Sequence, residues 1–89
     1  MAHEVIIQGM KYNPPSLTIK IGDTVTWINK DDMTHTATAP FPVKKPYKWN
    51  SGDMEQDDQK SVTFNDPSWQ GKYGCIYHPS MEGEIIIKS

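Results

Sequence analysis

Residues 17–28 read LTIKIGDTVTWI, and this stretch predicts the fold class. Apolar and polar residues alternate on both sides of a central Gly22-Asp23 pair, which is the pattern of two half-buried β-strands. Glycine followed by aspartate is typical of a tight turn between strands. In the second strand Val25 and Trp27 share one face, so we expect both side chains to point into a core.

The rest of the chain carries similar short strand signals, separated by polar turns. Further strands are predicted at residues 4–8, 34–38, 61–64, 71–77 and 84–88. No window of 11 residues shows a helical stripe, although the polar segment 53–60 could hold one turn of helix. Short strands with regular turn signals predict an all-β sandwich or barrel.

Length and composition restrict the chain to one small folded domain. Its 89 residues include only sixteen Leu, Ile, Val and Phe, which is few for a core. A net charge of -2 and nine aromatic residues, three of them Trp, nevertheless contradict disorder. There is no basic run suited to nucleic acid and no apolar run long enough to span a membrane.

The single cysteine, Cys75, excludes whole classes of site. One thiol cannot form an internal disulfide, a zinc site with several cysteine ligands, or a two-copper centre with two bridging thiolates. Residues 75–81 read CIYHPSM and bring a thiol, an imidazole and a thioether within seven positions. A loop after a strand can direct Cys75, His78 and Met81 to one point. A second imidazole, His35, lies 40 residues earlier and would be a neighbour in a Greek-key sandwich.

Two histidines, one cysteine and a weakly bound methionine are the ligand set of a blue-copper site. Thiolate and thioether suit Cu(I), and imidazole also suits Cu(II), so this set tolerates both states. Taken alone, a buried cysteine is more often a small apolar core residue. The joint spacing favours one copper ion, cycling Cu(II)/Cu(I), with four ligands: His35, Cys75, His78 and Met81. We expect His3 to be a solvated terminal residue, and the other methionines to fill loops or core: Met10, Met33 and Met54.

Nearly the whole chain resembles the cupredoxins, within them the plastocyanin and amicyanin branch, and the amicyanins most. Residues 22–29 resemble the Gly-Asp-x-Val-x-Trp-x-Asn block of that family, and residues 9–21 resemble its opening strands. Residues 71–75 resemble the strand that leads to the cysteine ligand. The Cys-x-x-His-Pro-x-Met loop at 75–81 resembles the short amicyanin version.

The resemblance implies a single Greek-key β-sandwich of about eight strands over residues 1–89, with copper at one end. His35 occupies the position of the family's upstream copper histidine. The implied function is that of a small soluble electron carrier, not an enzyme, in the periplasm or another exported compartment after removal of a signal peptide. We also expect a monomer.

In this family the histidine of the cysteine loop is the ligand at the solvent edge, so the resemblance makes His78 the electron port. Redox partners such as a c-type cytochrome, a dehydrogenase or an oxidase would then dock near His78 and Pro79. Apolar neighbours are expected around that edge: Met10, Pro14, Phe41 and Pro42. An acidic cluster is either a solvated loop or a surface that steers a basic partner: Asp53, Glu55, Asp57 and Asp58.

One residue departs from the family pattern. Plastocyanins and amicyanins usually have Asn after the upstream histidine, where its side chain ties the two ligand loops together. Here the residue is Thr36. Because a hydroxyl lacks the donor pair of an amide, we expect the tie to be weaker or rerouted. The Thr36 backbone N–H could still donate to the Cys75 sulfur and raise the reduction potential.

Three other functions remain open from the residues alone. The same ligands could serve a protein that delivers or stores copper, with rapid exchange of the metal. A copper oxidase fragment would need a separate cluster rich in His-x-His motifs, and the chain contains none. A metal-free binding module is the most remote alternative.

Overall fold

A computed structural model describes residues 1–88, and these residues form nine strands in two sheets. The strands are β1 (Ala2–Ile7), β2 (Tyr12–Asn13), β3 (Ser16–Lys20), β4 (Thr24–Asn29), β5 (Thr38–Ala39), β6 (Trp49–Asn50), β7 (Gln59–Thr63), β8 (Gly71–Gly74) and β9 (Glu82–Lys88). The predicted all-β sandwich is confirmed, with nine strands in place of about eight. Strands β2 and β6 have no counterpart among the seven strand segments predicted from the sequence, because each has two residues and is too short to show alternation.

The order of the strands brings distant parts of the chain together. One sheet runs β2-β1-β4-β7 and the other runs β3-β9-β8-β5-β6. Two pairs are parallel, β1 with β4 and β3 with β9, and the other pairs are antiparallel. Strands β5 and β8 are neighbours, with Thr38 paired to Gly74. The segment just after His35 therefore lies beside the segment just before Cys75.

Aromatic rings fill the space between the sheets. Val25 and Trp27 are both fully buried, as the alternation in β4 predicts. The Trp27 ring stacks on Trp49 at a centroid distance of 5.4 Å and meets Tyr73 edge-on at 5.5 Å. The Trp49 ring in turn meets Phe64 edge-on. Large rings bury more apolar surface per residue than aliphatic side chains, so a chain with few of the latter still builds a core.

The predicted strand at 34–38 is wrong over most of its length. Only Thr38–Ala39 belongs to a strand, and His35 makes an isolated bridge to Met54. Polar side chains at His35 and Thr36 bond to partners outside the sheet ladder, which explains why β-branched composition did not produce a strand here.

The predicted helical turn at 53–60 is also wrong. The chain there folds against β4, with the Asp57 N–H donating to the Asn29 carbonyl and the Asn29 N–H donating to the Asp58 carbonyl. A short 3-10 turn forms instead at Pro67–Trp69, where the Asp66 side chain accepts from the Ser68 N–H. None of the helical structure in residues 1–88 is long and apolar enough to cross a membrane.

Candidate metal centre

Three side chains from two separate segments meet at one end of the sandwich. The Cys75 Sγ lies 3.8 Å from His35 Nδ1 and 3.6 Å from His78 Nδ1, and the three donor atoms lie within 4.8 Å of one another. Both histidines present the same ring nitrogen to the thiol. One thiolate and two imidazoles at this spacing could hold one copper ion.

His35 is held from both its backbone and its ring. Its N–H and C=O both pair with Met54, and its side chain is fully buried. The ring Nε2 lies 2.9 Å from an Asp31 carboxylate oxygen. Because a carboxylate accepts hydrogen bonds, this contact places the ring proton on Nε2 and leaves the Nδ1 lone pair free to face the thiol.

Asp31 is a residue of the candidate site that the sequence analysis did not single out. Partial burial raises its pKa, but N–H groups of Met10 and Gly9 and the His35 ring donate to it, and together they hold the pKa of Asp31 below its ordinary value. The carboxylate thus stays ionised and connects the β1–β2 turn to the candidate ligand His35. The spacing of four residues to His35 was the available signal.

Replacing Asp31 with Asn should weaken copper binding about 10- to 100-fold, the usual effect of removing a group that orients a metal-bound histidine. An amide has one acceptor oxygen, and the carboxylate of Asp31 serves three donors. The measurement is competition with a chelator of known copper affinity. Asp32→Asn is the matched control, because that neighbouring side chain is exposed. Equal affinities of the two variants would contradict an orienting role for Asp31.

Thr36 connects the two segments that carry the donors. Its backbone N–H donates to Cys75 Sγ at 3.4 Å, so the predicted hydrogen bond to sulfur is present. Its hydroxyl oxygen accepts from the Ile76 N–H at 3.0 Å. The expected rerouting is therefore observed: a threonine hydroxyl joins the loops where the family pattern has an amide.

The loop after β8 carries the other two predicted ligands. The Met81 N–H donates to the His78 carbonyl at 3.0 Å, which closes the loop into a tight turn. Met81 is 2% exposed and packs in the same core cluster as Cys75. His78 is only half-buried, so its ring is the donor most open to solvent.

The remaining histidine and methionines lie elsewhere. The expectation of a solvated His3 is wrong, because its side chain is 19% exposed and its ring lies 2.9 Å from Asp23. Met54 is fully buried in the core cluster, and Met10 is half-buried and packs against that cluster. Met33 is 42% exposed.

Known amicyanins have sequences similar to this chain. The chain is 34% identical over 84 residues to amicyanin from Paracoccus denitrificans, covering 94% of this chain and 63% of that protein. It is 35% identical to amicyanin-alpha from Methylorubrum extorquens, covering 96% of this chain and 71% of that one. The chain thus spans just over six-tenths of the length of the Paracoccus denitrificans relative.

Solved structures agree with the sequence comparison. An amicyanin variant in its oxidised state superposes with a TM-score of 0.80 at 34% identity, covering 98% of this chain and 82% of the other. A Cu(I) amicyanin variant superposes at 0.77 and 32% identity over the same shares. The family model for copper-binding proteins of the plastocyanin/azurin type matches residues 1–88. With a thiolate and two imidazoles converging as such a site requires, the chain belongs to the plastocyanin/azurin family of copper-binding proteins.

Proposed function

We propose that the protein is a one-electron carrier with a single type-1 copper ion. The proposed ligands are His35, Cys75, His78 and Met81. The observation that carries the proposal is the convergence of three donor atoms on two segments to within 4.8 Å of one another.

The surroundings of the donors suit electron transfer. The bound copper would supply a one-electron couple between Cu(II) and Cu(I). His35 is held by Asp31, and Cys75 accepts a hydrogen bond from Thr36. Because the protein fixes these groups in advance, little rearrangement accompanies a change of oxidation state.

Electrons would enter and leave at His78, the half-buried donor. Its ring borders a shallow pocket of about 540 Å³ lined by Asp32, Met33, Thr34, Asp53, Glu55, Tyr77 and His78. We call this the port pocket. Met33 and Tyr77 are 42% and 49% exposed, so the surface also offers apolar contact. Pro79, the next residue, is exposed beside it, and we propose that partners dock here.

None of the four expected apolar neighbours of His78 lines the port pocket. Met10 lines a different cavity, next to Met81, together with Ser80. The port pocket instead carries carboxylates, and Tyr77 donates its hydroxyl to Asp53 at 2.8 Å. That hydrogen bond, followed by burial, raises the pKa of Tyr77. We therefore favour a basic redox partner, such as a basic c-type cytochrome.

Electron transfer to a basic c-type cytochrome should slow as salt is added. Between about 0.01 M and 1 M ionic strength the screening length falls from about 30 Å to 3 Å, and we expect the second-order rate constant to fall at least about tenfold. The measurement is stopped-flow absorbance. Asp53→Asn and Glu55→Gln should each reduce the rate at low salt.

Glu4→Gln is the control for charge, since Glu4 is an exposed carboxylate on β1 outside the port pocket. Docking at this surface would be contradicted if the second-order rate constant did not change with salt, or if the Glu4 and Asp53 substitutions changed it equally.

Spectroscopy separates the carrier from the alternative of copper delivery. A carrier binds Cu(II) with an intense blue or green colour that ascorbate bleaches, and it gives reversible voltammetry. His35 and Met81 are almost fully buried, which favours slow release of the metal. Rapid loss of copper to a chelator would favour delivery, and a colourless adduct would contradict the type-1 site.

We further propose that the 89 residues form one domain that works as a monomer in the periplasm or another exported compartment. Support comes from one continuous core cluster that draws on both sheets. Sedimentation of the copper form, and fractionation of cells that produce the natural protein, test the two statements. A stable dimer or a cytoplasmic location would overturn them.

A further inference from the structure

A row of polar side chains, Thr36, Thr38 and Asn50, extends from the metal centre to the edge of the second sheet. The Thr36 and Thr38 hydroxyl oxygens are 2.8 Å apart, and both residues are fully buried. The Thr38 hydroxyl lies 2.9 Å from Asn50 Oδ1, on strand β6. At the other end, Thr36 accepts from the Ile76 N–H. The row thus joins β6 to the residue next to Cys75.

The direction of each hydrogen bond in this row is determined. The Gly52 N–H donates to Asn50 Oδ1 at 3.0 Å, so that atom is the amide oxygen and can only accept. The single hydroxyl proton of Thr38 must therefore point to Asn50. Thr38 then accepts from Thr36, and the Thr36 proton is directed away from the Ile76 N–H.

The direction of the Thr36 hydroxyl proton matters because Thr36 holds the cysteine segment in place. Its N–H donates to Cys75 Sγ and its hydroxyl oxygen accepts from Ile76, so it holds the cysteine segment at two adjacent points. Its carbonyl also accepts from the Tyr12 hydroxyl. A hydroxyl proton turned toward the Ile76 N–H would break one of the two contacts with the cysteine segment.

We propose that Thr38 and Asn50 are positioning residues for the metal centre. By fixing the Thr36 hydroxyl proton, they keep the Thr36 N–H directed at the Cys75 sulfur and thereby raise the reduction potential. The inference rests on the copper ligand set proposed above. Within residues 1–88 the side chains of Thr38 and Asn50 form hydrogen bonds with Thr36, with the Gly52 N–H and with each other, so their effect passes through Thr36.

Thr38→Val removes the hydroxyl at nearly constant volume and releases the Thr36 proton. We expect a lower reduction potential, equivalent to about a fivefold fall in the equilibrium constant for reduction, since one hydrogen bond of ordinary strength is affected. The EPR spectrum of the Cu(II) form should also change. Thr38→Ser keeps a hydroxyl and should restore both values. Voltammetry and EPR are the measurements.

Two more variants complete the experiment. Asn50→Ala, at an exposed residue where folding is at little risk, should shift the potential in the same direction. Thr18→Val is the matched control, because Thr18 is exposed on β3 and takes no part in the row. Its potential should equal that of the wild type.

The outcomes separate this inference from the proposed function. If the unmodified protein gives no blue or green copper form, the proposed ligand set fails first. If the unmodified protein is coloured, and Thr38→Val and Asn50→Ala keep its potential and EPR spectrum, the positioning role is overturned. If Thr38→Val lowered the stability and left both the reduction potential and the EPR spectrum unchanged, Thr38 would serve only in core packing.

Discussion

Cys75→Ser should abolish the intense visible absorption of the Cu(II) form. That band arises from charge transfer between a bound thiolate sulfur and copper. Serine has a hydroxyl oxygen in place of the sulfur, so the variant cannot give this band. Cys75 is 1% exposed and accepts the Thr36 N–H, a contact that a serine oxygen can also accept. The variant should therefore fold, and the loss should be one of chemistry. Visible and EPR spectra of the two proteins side by side provide the measurement.

His3→Gln is the control for this experiment. His3 lies against Asp23, outside the donor cluster, so its loss should leave the copper spectrum unchanged. Circular dichroism of the metal-free proteins verifies that both variants are folded. Survival of the strong band in Cys75→Ser would show that the ligand assignment is wrong.

Gly83→Ala should be among the most destabilising single-methyl changes in the chain. A Cβ at position 83 would clash with Cζ of the Tyr73 ring and lie 2.6 Å from the Tyr73 hydroxyl oxygen. That ring is 1% exposed, contacts Tyr12, and accepts a hydrogen bond from the Trp27 indole. Because these contacts hold the Tyr73 ring in the core, we expect the added methyl group to lower the free energy of unfolding by about 1–3 kcal/mol. Urea denaturation followed by Trp fluorescence is the measurement.

Glu82→Ala is the matched substitution on the same strand, β9. Its carboxylate pairs with Lys72 at 2.9 Å, but both side chains are exposed, so we expect a change within about 0.5 kcal/mol. Similar unfolding curves for Gly83→Ala and Glu82→Ala would mean that the Tyr73 ring adapts. In the double variant with Tyr73→Leu, the cost of the added methyl should shrink.

Local patterns predicted well where one periodicity dominated. The alternation through β4 placed Val25 and Trp27 in the core, and both are fully buried. The same reasoning failed at 34–38, where β-branched residues serve hydrogen bonds across the fold and only Thr38–Ala39 pair as a strand. Composition measures the average preference of a residue, and a specific buried partner outweighs that preference.

The spacing of Cys75, His78 and Met81 was the strongest functional signal, because a tight loop brings such near neighbours together. The sequence spacing alone did not place His35 beside these three residues. That placement required a fold in which β5 pairs with β8, more than thirty residues later in the chain. The family resemblance supplied that fold. The distances of 3.8 and 3.6 Å from Cys75 Sγ to the two histidine nitrogens agree with that fold.

The amino-acid sequence by itself determined the all-β class from its periodicity, and the candidate metal with three candidate ligands, Cys75, His78 and Met81, from donor types at short spacing. The family resemblance added His35. Only the tertiary structure decided which groups support them. Asp31 and the row from Thr36 to Asn50 act through hydrogen bonds of about 3 Å between distant segments. Hydrogen bonds depend on distance and direction in space, and strand pairing sets both in ways that local sequence does not record.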